Sequence, residues 1–434
     1  MRWTFPGLLL SIILLISIQQ IKAQPGFVKA GASGFSVNGK PYAYIGANYW
    51  YGALLALEKD PRRGIIRLRK ELDFLKSKGV SNLRVLVGAE GAGQINGVTR
   101  VTPVLQPSPG NFNADILSGL DLLLAEMHKR KMYAVLFLSN NWEWSGGFLQ
   151  YLNWEGKINN DTLQRKLTWD EQRDYTSQFY SCQPCMLNYK KQVAYILTHK
   201  SSITGKTYAE ETAIMAWELA NEPRPMRAEA IAAYQSWIAE SAAFIKKTDP
   251  NHLITIGTEG TMGTDESSAL YKQIHAIPTI DYLTLHIWPK NWGWFKDEAI
   301  AESMPLILSK SAAYIAQHEQ IAKELHKPLV IEEFGLPRNG HSFSPDAAAG
   351  YRDEFYKHIF GIFAKSIKER GSISGLNFWA YGGNVRPHEG QVFWQQGDEF
   401  LGDPPQEEQG LNTVFNTDVS TWKLIYYFSN LIKR

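Results

Sequence analysis

The sequence predicts a (β/α)8 barrel, and three observations carry the prediction. Eight short apolar runs recur along the chain, amphipathic segments separate them, and connections entering the runs are short where those leaving them are long. The runs lie at 42–45, 83–87, 133–138, 214–219, 253–256, 282–287, 329–331 and 376–379. Each is too short for a helix and apolar on both faces, as a strand buried between a barrel interior and a helix layer must be. Segments at 65–78, 116–130, 228–246, 312–325, 351–368 and 422–433 place apolar residues at helical spacing and are read as covering helices.

The connections fix which end of the barrel works. Lys78-Gly79-Val80-Ser81-Asn82, Thr248-Asp249-Pro250-Asn251-His252 and His326-Lys327-Pro328 are brief turns leading into strands. The stretches 88–113, 139–185 and 381–421 follow strands two, three and eight and hold Trp142, Trp144, Trp154 and Trp394. Long loops at the carboxyl ends of the strands are where barrel enzymes assemble their sites. No linker, charge block or repeat divides residues 24–434, so they are read as one domain. Residues 1–23, with Arg2 ahead of an apolar run at 8–18 and Ile21-Lys22-Ala23 before Gln24, are read as a signal peptide. The expectation is a secreted or periplasmic monomer, free of the membrane after cleavage.

Composition narrows the function. Lys and Arg number 45 against 43 Asp and Glu, so no positive surplus exists to neutralise a phosphate backbone and nucleic acid is excluded as a partner. The 14 Trp, 20 Tyr and 20 Phe offer flat apolar faces suited to sugar rings. Cys182 and Cys185 lack a thioredoxin-like context and are read as a local disulfide or two idle thiols. No His-x-His ends the first strand, and His318-Glu319 has no second His four positions on, so no metal is expected. Neither a Gly-rich phosphate loop nor a Gly-x-Ser-x-Gly elbow occurs, and no cofactor is expected.

Two carboxylates stand at strand ends on the long-loop side. Glu222 follows strand four in Trp217-Glu218-Leu219-Ala220-Asn221-Glu222-Pro223-Arg224, where Pro223 removes a ladder donor; Glu333 ends strand seven in Ile331-Glu332-Glu333-Phe334-Gly335. Glycosidic hydrolysis requires such a pair, one protonating the leaving oxygen and one ionised beneath the ring. Alternation along a strand predicts that Glu332 points away from the barrel interior and that Glu218 shares the facing of Glu222 one layer deeper, where it satisfies a buried partner.

With these residues in place the chain resembles the glycoside hydrolases of family 5, in the retaining clan built on (β/α)8 barrels. The resemblance rests on Asn221-Glu222-Pro223, on Glu333-Phe334-Gly335, and on Arg84, His286 and Trp379 at the ends of strands two, six and eight. It implies Glu222 as acid/base, with a raised pKa, and Glu333 as nucleophile, kept ionised by Arg84. Gly46-Ala47-Asn48-Tyr49-Trp50 and Asn140-Asn141-Trp142 are most similar to the family's secreted endo-β-1,4-mannanases. The expected substrates are therefore β-mannan, glucomannan, galactomannan and their oligosaccharides, cut at internal bonds in an open groove. Trp50, Arg84, Trp142, Asn221, Arg224, His286, Trp288 and Trp379 are the expected substrate-binding residues, Asn221 at the sugar 2-hydroxyl, Arg224 on the leaving-group side and Trp379 beneath the cleaved sugar. Trp288 stands where the family usually has a Tyr, and its indole N–H can donate to a carboxylate but accept nothing. Another β-1,4-glycanase of the clan, such as a cellulase, and a binding barrel without catalysis are the alternatives.

Overall fold

The computed structural model describes residues 26–32, 34–296 and 299–433, so the leader expected at 1–23 lies outside the described residues. Eight parallel strands form the predicted barrel: Tyr44–Asn48, Asn82–Leu86, Tyr133–Phe137, Ile214–Glu218, Leu253–Thr255, Leu283–Ile287, Leu329–Phe334 and Ile373–Phe378. Counted along the chain, their order in the sheet is 5-4-3-2-1-8-7-6. Strands five and six close the ring through Asp281 N–H donating to Ile254 O at 2.8 Å, His286 N–H to Glu259 O at 3.1 Å and Thr255 Oγ1 to Tyr282 O at 3.0 Å.

The first strand begins two residues later than expected because Tyr42 belongs to a separate antiparallel sheet, Val28–Gly31, Gly34–Val37 and Lys40–Tyr42. Phe35 of that sheet packs edge-on against Tyr282 and stacks on Tyr44, so the small sheet plugs the amino end of the barrel. Helices Pro61–Ser77, Ala114–Lys129, Ile231–Thr248, Gly350–Lys368 and Val419–Leu431 fall where the periodicity put them, and Ile300–Leu325 starts twelve residues before its expected 312.

The loop expected at 139–185 is substantially helical instead, with Gly147–Trp154, Asn160–Gln164 and Trp169–Ser177 followed by the third covering helix, Gln183–Leu197. Capping rather than apolar periodicity sets the middle two: the Asn159 side chain accepts from Thr162 N–H, and Thr168 and Glu171 form a reciprocal capping box. Pro184 sits in the first turn of the third covering helix, where a missing N–H costs nothing. Cys182 and Cys185 are joined by a disulfide at that helix's start. Among the described residues no helix is long and apolar enough to cross a membrane.

Strand seven departs from regular alternation. Leu285 pairs with Ile331 but His286 pairs with Glu333, so Glu332 is an extra residue with no partner in strand six. A bulge of this kind re-aims the side chains beyond it. Here it brings both Glu332 and Glu333 to the barrel interior.

Candidate active site

The mouth of the barrel is organised around one guanidinium. Arg84, on strand two, is fully buried, and its Nε and Nη2 donate to the two oxygens of Glu218 at 2.8 and 2.6 Å. Nη2 also reaches Asn221 Oδ1 at 2.7 Å, and Nη1 donates to Asn48 Oδ1 at 3.2 Å and to Glu333 Oε1. A fork with five donors is suited to tying three strands together in fixed geometry. Glu218 is thus the deeper partner that the facing argument required. Glu332 is a correction: its carboxylate does not face the helix layer but lies 3.8 Å from both Arg84 Nε and His286 Nε2 inside the barrel, because the bulge shifts strand parity at that residue. Neither of its oxygens is hydrogen-bonded within the protein.

Strand four delivers Glu222 in a left-handed conformation, with φ at 51°, where its N–H donates to Gly257 O at 2.9 Å. Such a φ costs a residue with a Cβ about 1 kcal/mol. It turns the side chain over the mouth just before Pro223 leads the chain away. The Trp142 indole N–H donates to Glu222 Oε2, and His286 Nδ1 lies 2.6 Å from Glu222 Oε1 and 3.4 Å from Glu333 Oε2. Trp288 Nε1 donates to Glu333 Oε2 at 3.0 Å. Oxygens of Glu222 and Glu333 and a ring nitrogen of His286 all lie within 4.8 Å of one another. Every one of these carboxylate oxygens already faces a proton donor, the Arg84 cation among them, a donor set built for anions.

Protonation follows from this crowding. Burial works against a charge on His286, yet the carboxylates of Glu333, Glu222 and Glu332 around it push it up to about 10. Burial pushes Glu333 up to about 7 against the pull of His286 and Arg84. Glu222 differs from its expected raised pKa: burial acts upward, but the hydrogen bond and charge of His286, helped by Arg224 and Trp142, hold it below the ordinary value. The proton expected on Glu222 therefore resides across a 2.6 Å contact on His286.

Above the carboxylates lies a cleft of about 520 Å³ lined by Trp142, Asn221, Glu222, Arg224, Trp288, Glu333 and Trp379 among others. Three expected binding residues are not part of its lining. Trp50 is buried beneath the long loop after strand eight, donating to Gly402 O at 2.8 Å and packing edge-on against Trp144 and Phe400. Its place just beyond strand one is right, but the loop covers it. Arg84 and His286 are fully buried behind the carboxylates and act on them rather than on a ligand. Arg224 forms a two-point ion pair with buried Glu259, at 2.5 and 2.7 Å, and lies 5.1 Å above the Trp142 ring.

The cleft also contains residues that sequence reasoning missed: Trp144, Trp169, Glu259, Met262, Trp292, Pro404, Gln406 and Glu407. Glu259 follows strand five in Gly257-Thr258-Glu259-Gly260, the same strand-end signal that singled out Glu222. Trp169 and Glu407 had none, since each sits in a long connection whose folding back over the mouth no local pattern announces. The Trp379 indole N–H and Glu407 Oε2 are buried without a hydrogen-bond partner at this cleft.

Comparison with known proteins agrees with this architecture. Residues 25–434 match the family model described as GH family 5 beta-mannosidase-like. Mannan endo-1,4-beta-mannosidase 1 of Oryza sativa subsp. japonica is 31% identical over 373 residues, 82% of this chain and 78% of its own. The solved family 5 mannosidase of Rhizomucor miehei in complex with mannosyl-fructose is 31% identical with a TM-score of 0.83, over 94% of this chain and 97% of that one. The endo-beta-1,4-mannanase of Thermotoga petrophila, 24% identical with a TM-score of 0.66 over 91% of this chain and 78% of that one, shares the fold.

Proposed function

The chain belongs to the β-mannosidase-like glycoside hydrolases of family 5, and from that premise we propose that it hydrolyses β-1,4-mannosidic bonds with retention of configuration, cutting β-mannan, glucomannan or galactomannan and their oligosaccharides internally. The observation that carries this reading is the separation of the two carboxylates. One oxygen of Glu222 and one of Glu333 lie within 4.8 Å of each other, which supports the close spacing of about 5–5.5 Å of a retaining pair over the about 6.5–9.5 Å that an inverting enzyme opens for its water.

Glu333 attacks the anomeric carbon from below while Glu222 protonates the departing oxygen. Glu333 is foremost among the carboxylates that give His286 its proton affinity. As the bond to the sugar forms and Glu333 loses its charge, the proton on His286 Nδ1 becomes free to move to Glu222 Oε1. In the second half, Glu222 accepts a proton from water, the water oxygen displaces Glu333, and the proton returns toward His286 as Glu333 regains its charge. Arg84 and Trp288 hold Glu333 in position for the attack. Trp142 and Trp379 offer aromatic faces to the rings on either side of the bond.

A second reading, release of single mannose units from chain ends, draws on Pro404, Gln406 and Glu407, which the long loop after strand eight adds to one wall of the cleft. One experiment separates the readings: soluble mannan is digested while viscosity, reducing ends and fresh-product NMR are followed together. Internal cutting lowers viscosity before much reducing sugar accumulates, whereas end-wise release preserves viscosity. Retention gives the β-anomer first in both cases, and early α-anomer overturns the mechanism itself. The same assay on carboxymethylcellulose tests the cellulase alternative. Action outside the cytoplasm as a monomer is part of the proposal, supported by the Arg2 and 8–18 leader pattern and by a Cys182–Cys185 disulfide of the kind oxidising compartments preserve.

A further inference from the structure

The barrel interior holds a group of buried polar atoms that the hydrolytic chemistry above does not use. Both oxygens of Glu332, Nε2 of His286 and the hydroxyls of Tyr44 and Tyr282 have no hydrogen-bond partner among the described residues. All four side chains are shut off from solvent. Phe35 of the amino-terminal sheet packs against both tyrosines and closes the floor, while Arg84 and His286 stand on the other side of Glu332. Burial, with the Glu332 charge adding to it, pushes both tyrosine hydroxyls well above their ordinary value, so they stay protonated and able to donate. A buried polar atom left unpaired costs about 1–3 kcal/mol, and a cluster of them calls for a cause.

Glu332 is held in this place by its backbone. Asn48 Nδ2 on strand one donates to Glu332 O at 3.0 Å. The Glu332 carboxylate lies 3.8 Å from His286 Nε2 and 3.8 Å from Arg84 Nε, whose hydrogen is already given to Glu218 at 2.8 Å. That separation is beyond a direct hydrogen bond and suits one bridging water. The other ring nitrogen of His286 faces the chemistry, with Nδ1 2.6 Å from Glu222 Oε1 and 3.4 Å from Glu333 Oε2. The charged groups around the ring are thus Glu222 and Glu333 on its Nδ1 side and Glu332 on its Nε2 side, with Arg84 and its partner Glu218 beside Glu332; Glu259, paired with Arg224, is within reach of the ring's charge. An imidazolium that gives up the Nδ1 proton keeps the one on Nε2, and in a site closed to bulk water this remaining N–H needs an acceptor. Among the described residues Glu332 is the one ion-pair partner that Nε2 has.

We propose that Glu332 is a positioning residue that fixes the tautomer of His286: through one bridging water it holds the hydrogen on Nε2, so that the proton passed to and from Glu222 is always the one on Nδ1. This rests on the hydrolytic reading above and deepens it. In the step itself the Nδ1–H bond breaks, its electron pair stays on Nδ1, and the proton forms an O–H bond at Glu222 Oε1, leaving a neutral ring that carries its hydrogen on Nε2. Glu332 is not part of the cleft lining, so it acts through the ring and not on the sugar. Its negative charge favours the protonated ring, and without it His286 releases its proton at a lower pH.

The test compares kcat/KM for a phenyl and a dinitrophenyl β-mannobioside across pH in the wild type, Glu332→Gln and Glu332→Asp. Phenoxide is a poor leaving group that needs its oxygen protonated, whereas dinitrophenoxide departs unaided, so the phenyl substrate alone reports delivery of the proton. A Gln side chain can donate toward Nε2 as readily as accept from it, which leaves the tautomer unset. Glu332→Gln should therefore lose about tenfold on the phenyl substrate while staying within about twofold on the dinitrophenyl one, and the alkaline limb of the phenyl profile should move down by about one unit. Glu332→Asp, which keeps the carboxylate, should recover most of both. Equal losses on the two substrates, an alkaline limb that does not move, or a Glu332→Asp no better than Glu332→Gln would overturn the proposal. A wild type inactive on these glycosides and on mannan alike would instead overturn the hydrolytic reading, so the two failures are distinguishable. Matching thermal denaturation of the three proteins ensures that a loss is not one of folding.

Discussion

Replacing Trp288 by Phe removes one hydrogen bond from Glu333 and leaves an aromatic ring in place. Trp288 is 6% exposed and its indole donates to Glu333 Oε2 at 3.0 Å. A hydrogen bond to a charged acceptor in a buried site is worth about 1.5–3 kcal/mol. Since about 1.4 kcal/mol corresponds to one pKa unit, deleting the donor should raise Glu333 by about 1–2 units. The direction follows from the form the donor favours: it stabilises the carboxylate, so its loss makes protonation easier. Glu333 already sits at about 7, with burial pushing up against His286 and Arg84. As nucleophile it must be ionised, so the acidic limb of kcat/KM should shift upward by those one to two units, and activity well below the limb should fall by about ten- to a hundredfold. Toward the alkaline end of the profile the variant should converge on the wild type. The assay is kcat/KM against pH on a soluble mannooligosaccharide, with Trp288→Tyr as a second variant. An unchanged limb accompanied by a higher KM would refute the reasoning and reduce Trp288 to a stacking surface beside Trp379.

Glu222→Ala and Glu333→Ala should each lower turnover by several orders of magnitude, and azide should rescue Glu333→Ala on an activated substrate, giving the α-glycosyl azide identified by NMR. Glu218→Gln should lower stability by about 1.5–3 kcal/mol in denaturant titration, because Gln can accept only one of the two bonds that fully buried Arg84 donates to Glu218 while the pair with Glu333 remains, whereas Glu332→Gln, at a carboxylate without a hydrogen bond, should be near neutral. Glu90 is fully buried and accepts from Ser139 Oγ and Gln192 Nε2 at 2.8 Å and from Gly147 N–H and Tyr151 at 3.1 Å, tying down the segment that carries Trp142. Burial outweighs these donors and pushes it up to about 7, so the folded protein holds the Glu90 proton more tightly than the unfolded chain. Its contribution should accordingly favour folding at low pH and fade as pH rises from the ordinary carboxylate value to about 7, a slope that urea unfolding across that window would reveal and Glu90→Gln would flatten. Glu222→Gly should unfold at a higher temperature than Glu222→Ala, since glycine adopts φ of 51° freely.

Strand positions were legible because each barrel strand is a short, mainly apolar run, and the two carboxylates because each stands where such a run stops. Facing alone placed Glu218 a layer deeper against a buried partner, which the structure identifies as Arg84. Elsewhere local pattern was overridden. Glu332 was assigned to the wrong face because period-two counting assumes no extra residue, and nothing in Leu329-Val330-Ile331-Glu332-Glu333 marks the bulge. Trp50 was placed in the groove by its position just beyond strand one, but the chain at 400–402 returns from hundreds of residues away to cover it. Trp169 and Glu407 reach the cleft through the same kind of long-range return. The protonation of Glu222 depends on His286 at 2.6 Å, a distance that no spacing in the chain encodes.

The extra residue in strand seven changes the charge around the reacting pair. Up to Ile331 the strand keeps step with its neighbour; one uncounted position later, Glu333 stands opposite His286. Removing Glu332 would restore regular pairing, with the carboxylate after Ile331 still opposite His286 and still facing inward, while Arg84 and His286 would lose the second buried carboxylate 3.8 Å away. Such a shortened chain should still close its barrel and still present Glu222 and the indoles of the cleft. It would keep its reacting pair, so the extra residue serves to bring one more negative group into the buried cluster around Arg84 and His286 and not to aim the nucleophile.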